Sequence, residues 1–196
     1  WTHNLIILSQ SKHAEEREFY LRMAIKERWS KREPERQFNT ALFAEGFESD
    51  NNAAGDATTP KTKATFSNVT VVGPTGTLNP NYKRAAHLRR NTETSIFNSL
   101  LIGSYPVGVL IDGDAAATNA TNGLLEVKNT QVHGPVDLLN TNATNGFNID
   151  TWFATSGWGN ATNASATGAN LQNAYNLDVP NAQPTFSSSA LGAAAF

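Results

Sequence analysis

The side chains that could do chemistry gather around one basic stretch, residues 81–92. His87 and Arg89 stand two residues apart in this stretch, so on a β-strand they would point to the same face. An earlier acidic pair, Glu48 and Asp50, has the same spacing, and Asp112 follows later in the chain. A guanidinium group beside carboxylates can bind an anionic or sugar ligand, because it donates two parallel hydrogen bonds.

Two interpretations of these charges are open. In the first, they form cross-strand salt bridges that fix the register of neighbouring strands, each worth less than about 1 kcal/mol where exposed. In the second, they form a site for an anionic ligand or a sugar. The candidate residues for that site are Glu48, Asp50, Lys83, Arg84, His87, Arg89 and Asp112.

A lyase-like reaction on a polysaccharide would need a Lys or Arg base beside acidic groups that hold Ca²⁺ or a uronate. Asp114 would join the candidates above in that role. The segment 112–114 is too short for a calcium-binding loop, so we predict no cofactor and no metal site, and Ca²⁺ is the one ion with any candidate ligands. No Ser/His/Asp signature, phosphate loop or metal-spaced pair of histidines occurs, and we assign no catalytic residue.

Composition narrows the classes of function. Charged residues make up 16% of the 196 residues and the formal net charge is −2, which argues against nucleic-acid binding through bulk charge. Cysteine is absent, which excludes a disulfide framework and thiolate metal sites. No apolar run approaches the length of a membrane span.

A repeat supplies the elements that must position the charged residues. The runs 66–73, 96–103 and 127–134 each end at a glycine that follows an asparagine by five residues, and they recur about every 30 residues. In register, Val71, Leu101 and Val132 form one apolar column, while the bend positions form a structural ladder of Asn68, Asn98 and Asn129. Stacked coils lie about 4.8 Å apart, a spacing at which asparagine amides can bond from coil to coil, and asparagine tolerates a left-handed bend.

A second strand follows each copy, at 84–91, 105–113 and 133–140. Phe47 to Asp50 is placed on the equivalent strand of a preceding coil, aligned with Ala86 to Arg89. This repeating order of strand, turn, strand and variable loop predicts a mainly β protein with a parallel β-helix, or solenoid. An antiparallel β-sandwich with accidental similarity between strands is the alternative.

Residues 1–43 differ in composition, and we predict a charged, partly helical segment that flanks or caps the β-helix of residues 44–196. A helix should run from Ser11 to about Arg32, where Pro34 stops it, and residues 5–8 could form a buried strand. Glu18 and Arg22 should pair on one side of this helix, and an apolar stripe could be formed by Tyr20, Leu21, Ala24, Ile25 and Trp29. A helix that binds a partner is the alternative. The first residue is Trp, so the β-helix is expected to be a fragment of a longer one.

Low-complexity loops of Ala, Thr, Asn and Gly are expected at 114–122, 140–148 and 159–170. Trp152, Phe153 and Trp158 form the one aromatic cluster, which either covers the solenoid or, if exposed, offers a platform on which a sugar could stack.

Four segments in order, 46–51, 66–74, 82–91 and 106–113, resemble a family of uncharacterised secreted or surface-anchored β-helix-type proteins of Bacteroidetes, many of them lipoproteins or clients of the type IX secretion system. The resemblance covers about residues 44–196. It implies a solenoid fold and a secreted or outer-surface location, and it transfers no catalytic residues.

The predicted function is a non-catalytic structural or adhesive surface protein whose partners are other surface proteins, glycans or further copies of itself, without nucleic acid and without a membrane span. The alternative is a carbohydrate-binding or polysaccharide-lyase-like β-helix that uses the charged face around Arg89. An ice-binding solenoid would need a regular column of Thr on a strand face, and the Thr residues lie mostly in loops.

Overall fold

A computed structural model describes residues 7, 14–26, 46–51, 57–76, 82–176 and 178–194. The chain divides into two compact units, Trp1–Glu45 and Gly46–Phe196. No described helix is long and apolar enough to cross a bilayer.

The first unit contains helix α1, Ala14–Lys26. The two ends of the predicted helix, Ser11 and Arg32, lie outside the described residues. Glu18 and Arg22 form the expected pair one turn apart, at 2.6 Å. Two expectations for this segment were wrong: Ile7 is helical rather than part of a strand, and Ile25, placed on the apolar stripe, is 79% exposed.

Parallel strands dominate the second unit. The strands are β1 Glu48–Ser49, β2 Thr65–Ser67, β3 Thr70–Val72, β4 Arg84–Arg89, β5 Ser95–Phe97, β6 Leu100–Ile102, β7 Val107–Asp112, β8 Val127–Lys128, β9 Gln131–His133, β10 Asp137–Thr141 and β11 Ala161–Asn163. Sheet 1 has the order β2-β5-β8, sheet 2 the order β11-β9-β6-β3 and sheet 3 the order β1-β4-β7-β10, and every pairing within these sheets is parallel. The chain visits the sheets in turn, one coil after another, as in a β-helix, and this pairing excludes an antiparallel sandwich for the part of the chain described.

Each predicted repeat is two strands rather than one, because its asparagine bends the chain from sheet 1 into sheet 2. Asn68, Asn98 and Asn129 have φ values of 60°, 50° and 49°, and Gly159, with φ of 65°, occupies the same position before β11. Asparagine and glycine adopt this left-handed conformation at the lowest cost. The side-chain amide of Asn98 donates to Ser67 Oγ at 3.4 Å.

Small hydroxyl side chains beside this bend tie the coils together. The backbone N–H of Val69 donates to Ser99 Oγ at 3.2 Å, and that of Ser99 donates to Thr130 Oγ1 at 3.4 Å. The N–H of Thr130 continues the series to Asn160 Oδ1 at 3.0 Å. These bonds satisfy backbone groups that the sharp bend removes from the regular ladder.

Apolar side chains from all three sheets fill the interior. Val71, Leu101 and Val132 are paired across successive strands as predicted, and all three are buried. In sheet 3, Ala86 lies opposite Val109 and Leu88 opposite Ile111. The interior is therefore built from columns of equivalent residues.

Two helices project from the coils. Helix α2, Asp114–Thr121, replaces the loop predicted at 114–122, because its alanines at 116, 117 and 120 turn one apolar side to the core. Helix α3, Ile149–Phe153, is capped by Asn148, whose side chain accepts from the N–H of Thr151 at 2.8 Å. The other two predicted loops also contain regular structure: the end of β10 lies within 140–148, and all of β11 lies within 159–170.

An antiparallel hairpin, β12 Leu171–Asn173 and β13 Asn181–Pro184, follows the last coil. The described residues of the C-terminal segment, 169–176 and 178–190, pack on the outer face of sheet 2 through Ala169, Leu171 and Tyr175, which bury Leu100 and Ile102. Ser189 fastens it, because its hydroxyl donates to Gln131 Oε1 and its carbonyl accepts from Gln131 Nε2, both at 2.7 Å.

Candidate functional site

Three neighbouring strands of sheet 3 bring the charged candidates together. Glu48 on β1 lies opposite His87 on β4, and Arg89 on β4 lies opposite Asp112 on β7, the register that the repeat predicted. Ala86 and Leu88 alternate with these residues and point into the core. The charged side chains therefore share the outer face of the sheet, and we call Glu48, Asp50, His87, Arg89, Arg90 and Asp112 the charged cluster.

Arg89 is the centre of the charged cluster. Its Nη1 donates to Glu48 Oε1 at 3.1 Å, and its Nε lies 3.5 Å from Asp50 Oδ1 and 3.9 Å from Asp112 Oδ2. The Arg89 side chain is 26% exposed. One guanidinium group thus faces carboxylates from the two coils on either side of its own.

Arg90 joins the charged cluster, contrary to the expectation from strand alternation that it would point away from Arg89. Its Nη1 donates to Asp50 Oδ2 at 2.8 Å. Arg90 and Asn91 have φ values of 49° and 61°, so β4 ends in a left-handed turn that breaks the alternation. Two arginines in sequence therefore reach the same carboxylate.

His87 and Asp112 form the most buried pair of the charged cluster. The Nε2–H of His87 donates to Asp112 Oδ2 at 2.7 Å, and the His87 side chain is only 3% exposed. Burial lowers the pKa of His87 below its usual 6.5, against the opposing effect of Asp112. Burial raises the pKa of Asp112, but hydrogen bonds from His87 and Asn142 outweigh this and leave its pKa below the usual value.

Asn142 is a partner that the sequence did not identify, and it lies just after β10 in the next coil. Its Nδ2 donates to Asp112 Oδ1 at 2.5 Å, and its Oδ1 accepts from the N–H of Gly113 at 2.6 Å. Only the register of β10 on β7 could have indicated it, since an amide carries no charge that marks it in the sequence.

The remaining charged candidates stand apart from this arrangement. Lys83 precedes β4 and is exposed, and none of the ion pairs among the described residues includes it. Arg84 begins β4 and acts on His87 through its charge, which helps to lower the His87 pKa. Asp114 accepts from the N–H of Thr144 at 2.5 Å and from its hydroxyl at 2.9 Å, so its carboxylate closes the loop after β10.

Three polar atoms of the charged cluster are buried without a hydrogen-bond partner: Asp50 Oδ1, His87 Nδ1 and Arg89 Nε. They are one donor, Arg89 Nε, and two acceptors, and the charge attraction between Arg89 and the carboxylates at 3.5–3.9 Å compensates Arg89 Nε and Asp50 Oδ1 in part. Among the residues that the structure describes, no group of three or more His, Asp or Glu side chains has the geometry to hold a metal ion.

Two of the three residues of the aromatic cluster are buried and cover the core, as in the first of the two expectations for it. Trp152 and Phe153 are 8% and 3% exposed. Trp152 packs edge-on against Phe147 and Trp158, with ring centroids 5.8 and 5.4 Å away. Trp158 is half-buried, and its ring lies 5.3 Å from Lys128 Nζ.

The buried histidines predict that acid destabilises the fold. Burial lowers the pKa of both His87 and His133 below 6.5, so the unfolded chain takes up protons at pH values where the folded chain does not. The free energy of unfolding should fall as the pH drops through about 6.5, by at most about 1.4 kcal/mol per pH unit for each histidine.

Urea unfolding at about pH 7.5 and 5.5 checks this dependence. The variants His87→Gln and His133→Gln should each flatten it, because glutamine does not titrate. A chain that is equally stable or more stable at the lower pH would contradict the assignment of neutral, buried histidines.

Two protein-family models match the chain, and their matched ranges overlap. A family model described as pectate-lyase like beta helix domain matches residues 27–177, and one described as DUF1016 N-terminal domain matches residues 1–45. No curated protein and no solved structure matches the chain. The first family model spans most of the sequence and agrees with the parallel coils that carry the charged cluster, so the chain belongs to the pectate-lyase-like β-helix domain family.

Proposed function

We propose that this chain is a non-catalytic β-helix that serves as a structural or adhesive element at the cell surface or outside the cell. One observation supports this above all others: each carboxylate of the charged cluster already has a hydrogen-bond partner within the chain. Glu48 is paired with Arg89, Asp50 with Arg90, and Asp112 with His87. A carboxylate that must hold Ca²⁺ or activate a substrate would instead need its oxygens available to that ion or substrate.

The charged cluster then holds neighbouring coils in register. Arg89 on β4 faces carboxylates that belong to the two neighbouring strands of sheet 3, β1 and β7, so a slip in strand register would separate these charges. A stiff stack of coils suits a shaft or an assembly subunit, whose partners would be other surface proteins, glycans or further copies. The resemblance to secreted Bacteroidetes proteins, and the family match, support the extracellular location.

Arg89→Ala is expected to lower the free energy of unfolding by about 1–3 kcal/mol, because it leaves Glu48 and Asp50 half-buried beside fewer cations. Lys63→Ala is the matched control, since Lys63 is 64% exposed in its ion pair with Glu93 and should cost no more than about 0.5 kcal/mol. Chemical denaturation compares the two. If both variants lowered the free energy of unfolding by the same amount, the charged cluster would not hold the coils in register.

A carbohydrate-binding or lyase-like role is the second candidate. The family match favours it, and the partly exposed Arg89 side chain could donate hydrogen bonds to an anionic sugar. In that role Arg89 would be the candidate base, with Asp112 and Glu48 binding Ca²⁺ or a uronate.

Binding and turnover of oligogalacturonate with and without Ca²⁺ separate the two candidates. The scaffold predicts neither, for the native chain and for Arg89→Ala/Asp112→Ala alike. Binding that the double variant abolishes, with its β-rich circular dichroism intact, would replace the scaffold by the carbohydrate role.

A further inference from the structure

The C-terminal segment forms a cavity of about 450 Å³ away from the charged cluster. Ile102 of sheet 2 and Leu171 of β12 contribute its apolar part, and Asn170, Gln172, Asn173 and Tyr175 contribute amides and a phenol ring. Its volume falls in the range of about 300–1,000 Å³ that is usual for small-molecule sites.

None of the described residues that line this cavity is charged. An ionised ligand would therefore lose water without gaining an opposite charge, which is unfavourable. A ligand rich in hydroxyl groups avoids this cost, because hydroxyls both donate and accept and match the paired donor and acceptor atoms of Asn and Gln. The chemistry of the lining selects neutral, polyhydroxylated ligands.

The side-chain amide nitrogens of three cavity residues donate only long hydrogen bonds to the described residues, although Gln172 Oε1 accepts a bond of normal length, 3.0 Å, from Asn181 Nδ2. Asn170 Nδ2 donates to Ser187 O at 3.3 Å, Asn173 Nδ2 to Val179 O at 3.4 Å, and Gln172 Nε2 to the side chain of Gln183 at 3.4 Å. These distances exceed the usual 2.7–3.2 Å for such bonds, so exchanging them for bonds to a ligand would cost little.

Tyr175 gives the cavity a fixed aromatic wall. Its hydroxyl donates to Ala166 O at 2.6 Å, which holds the ring in place. Burial raises the pKa of Tyr175 to about 12, so this donor stays protonated at physiological pH. A ring held in this way can pack against the C–H face of a pyranose.

We propose that this cavity, formed by residues 166–176 against Ile102, binds a neutral oligosaccharide. The site is separate from the charged cluster and goes beyond the scaffold role, since it would give a non-catalytic shaft a glycan-binding surface of its own. It selects against uronates, which a site at Arg89 would prefer.

Chemical-shift mapping of the full ¹⁵N-labelled chain tests the proposal, with neutral di- and trisaccharides of glucose, galactose, mannose and N-acetylglucosamine as probes and oligogalacturonate as the anionic comparison. We expect at least one neutral probe to shift residues 166–176, with a dissociation constant on the order of 1 mM or lower, and oligogalacturonate to leave them unshifted. No shift with any neutral probe, or equal shifts with the uronate, would overturn the proposal.

Variants localise the binding. Asn173→Ala should weaken it about tenfold, because it removes one amide, whereas Asn122→Ala at the exposed end of α2 should not change it. Tyr175→Phe keeps the ring but loses the bond to Ala166, so it should weaken binding several-fold in a folded chain. Arg89→Ala should have no effect on this binding; loss of binding there would assign the sugar to the charged cluster instead.

Discussion

Gly103→Ala is expected to lower the free energy of unfolding by about 3–5 kcal/mol, enough to leave little of the typical stability of a domain. A Cβ at Gly103 would lie 2.8 Å from the backbone carbon atoms of Gly73 in the preceding coil. Backbone in the stack has no room to move aside, and φ of 126° is unfavourable for alanine. Thermal or urea unfolding measures the loss.

Gly123→Ala is the matched control, because Gly123 also has a positive φ, 70°, but its added Cβ would meet no atom within 4 Å. This variant isolates the backbone penalty, expected to be about 1 kcal/mol. If the two variants were equally stable, the coils would not be in the close contact described at Gly103.

Trp152→Ala is expected to lower the free energy of unfolding by about 3–5 kcal/mol. The indole is buried between Phe147 and Trp158, and its Nε1–H donates to Ala120 O at 3.2 Å, which joins helix α3 to helix α2. Removing it would leave a large cavity at the edge of the core and would take from Ala120 O one of its two hydrogen bonds, the other coming from the N–H of Gly123. Denaturant unfolding gives the magnitude.

Trp152→Phe separates the two contributions, since it keeps most of the ring and loses only the N–H donor, at a cost of about 1–2 kcal/mol. Val136→Ala serves as the surface control, because Val136 is 82% exposed and its truncation should change stability by less than about 0.5 kcal/mol. A Trp152→Ala variant that kept full stability but lost affinity for glycans would restore the aromatic platform that the burial of Trp152 argues against.

The sequence predicts the columns of this fold because a parallel stack places equivalent residues on top of one another. Val71, Leu101 and Val132 could be aligned by pattern alone, and the same alignment placed Glu48 opposite His87. Because the pattern repeats in every coil, it predicts which residues of distant segments lie opposite each other, including those of the charged cluster.

Features that break the repeat were not predictable in this way. The left-handed turn at Arg90 reverses the direction of one side chain, and no residue type in the sequence marks it. Asn142 reaches Asp112 from a variable loop, and helix α2 arises where alanines in a low-complexity segment meet the core. Each depends on tertiary contacts that local spacing does not contain.

The most direct test of the proposed scaffold is a turnover assay on polygalacturonate, in which the folded native chain is incubated with and without Ca²⁺ and new unsaturated or reducing chain ends are measured. Because the carboxylates around Arg89 already have partners within the chain, we expect no products above those of a blank. Products that form with the native chain and are lost in folded Arg89→Ala would contradict a non-catalytic role and make Arg89 a catalytic residue.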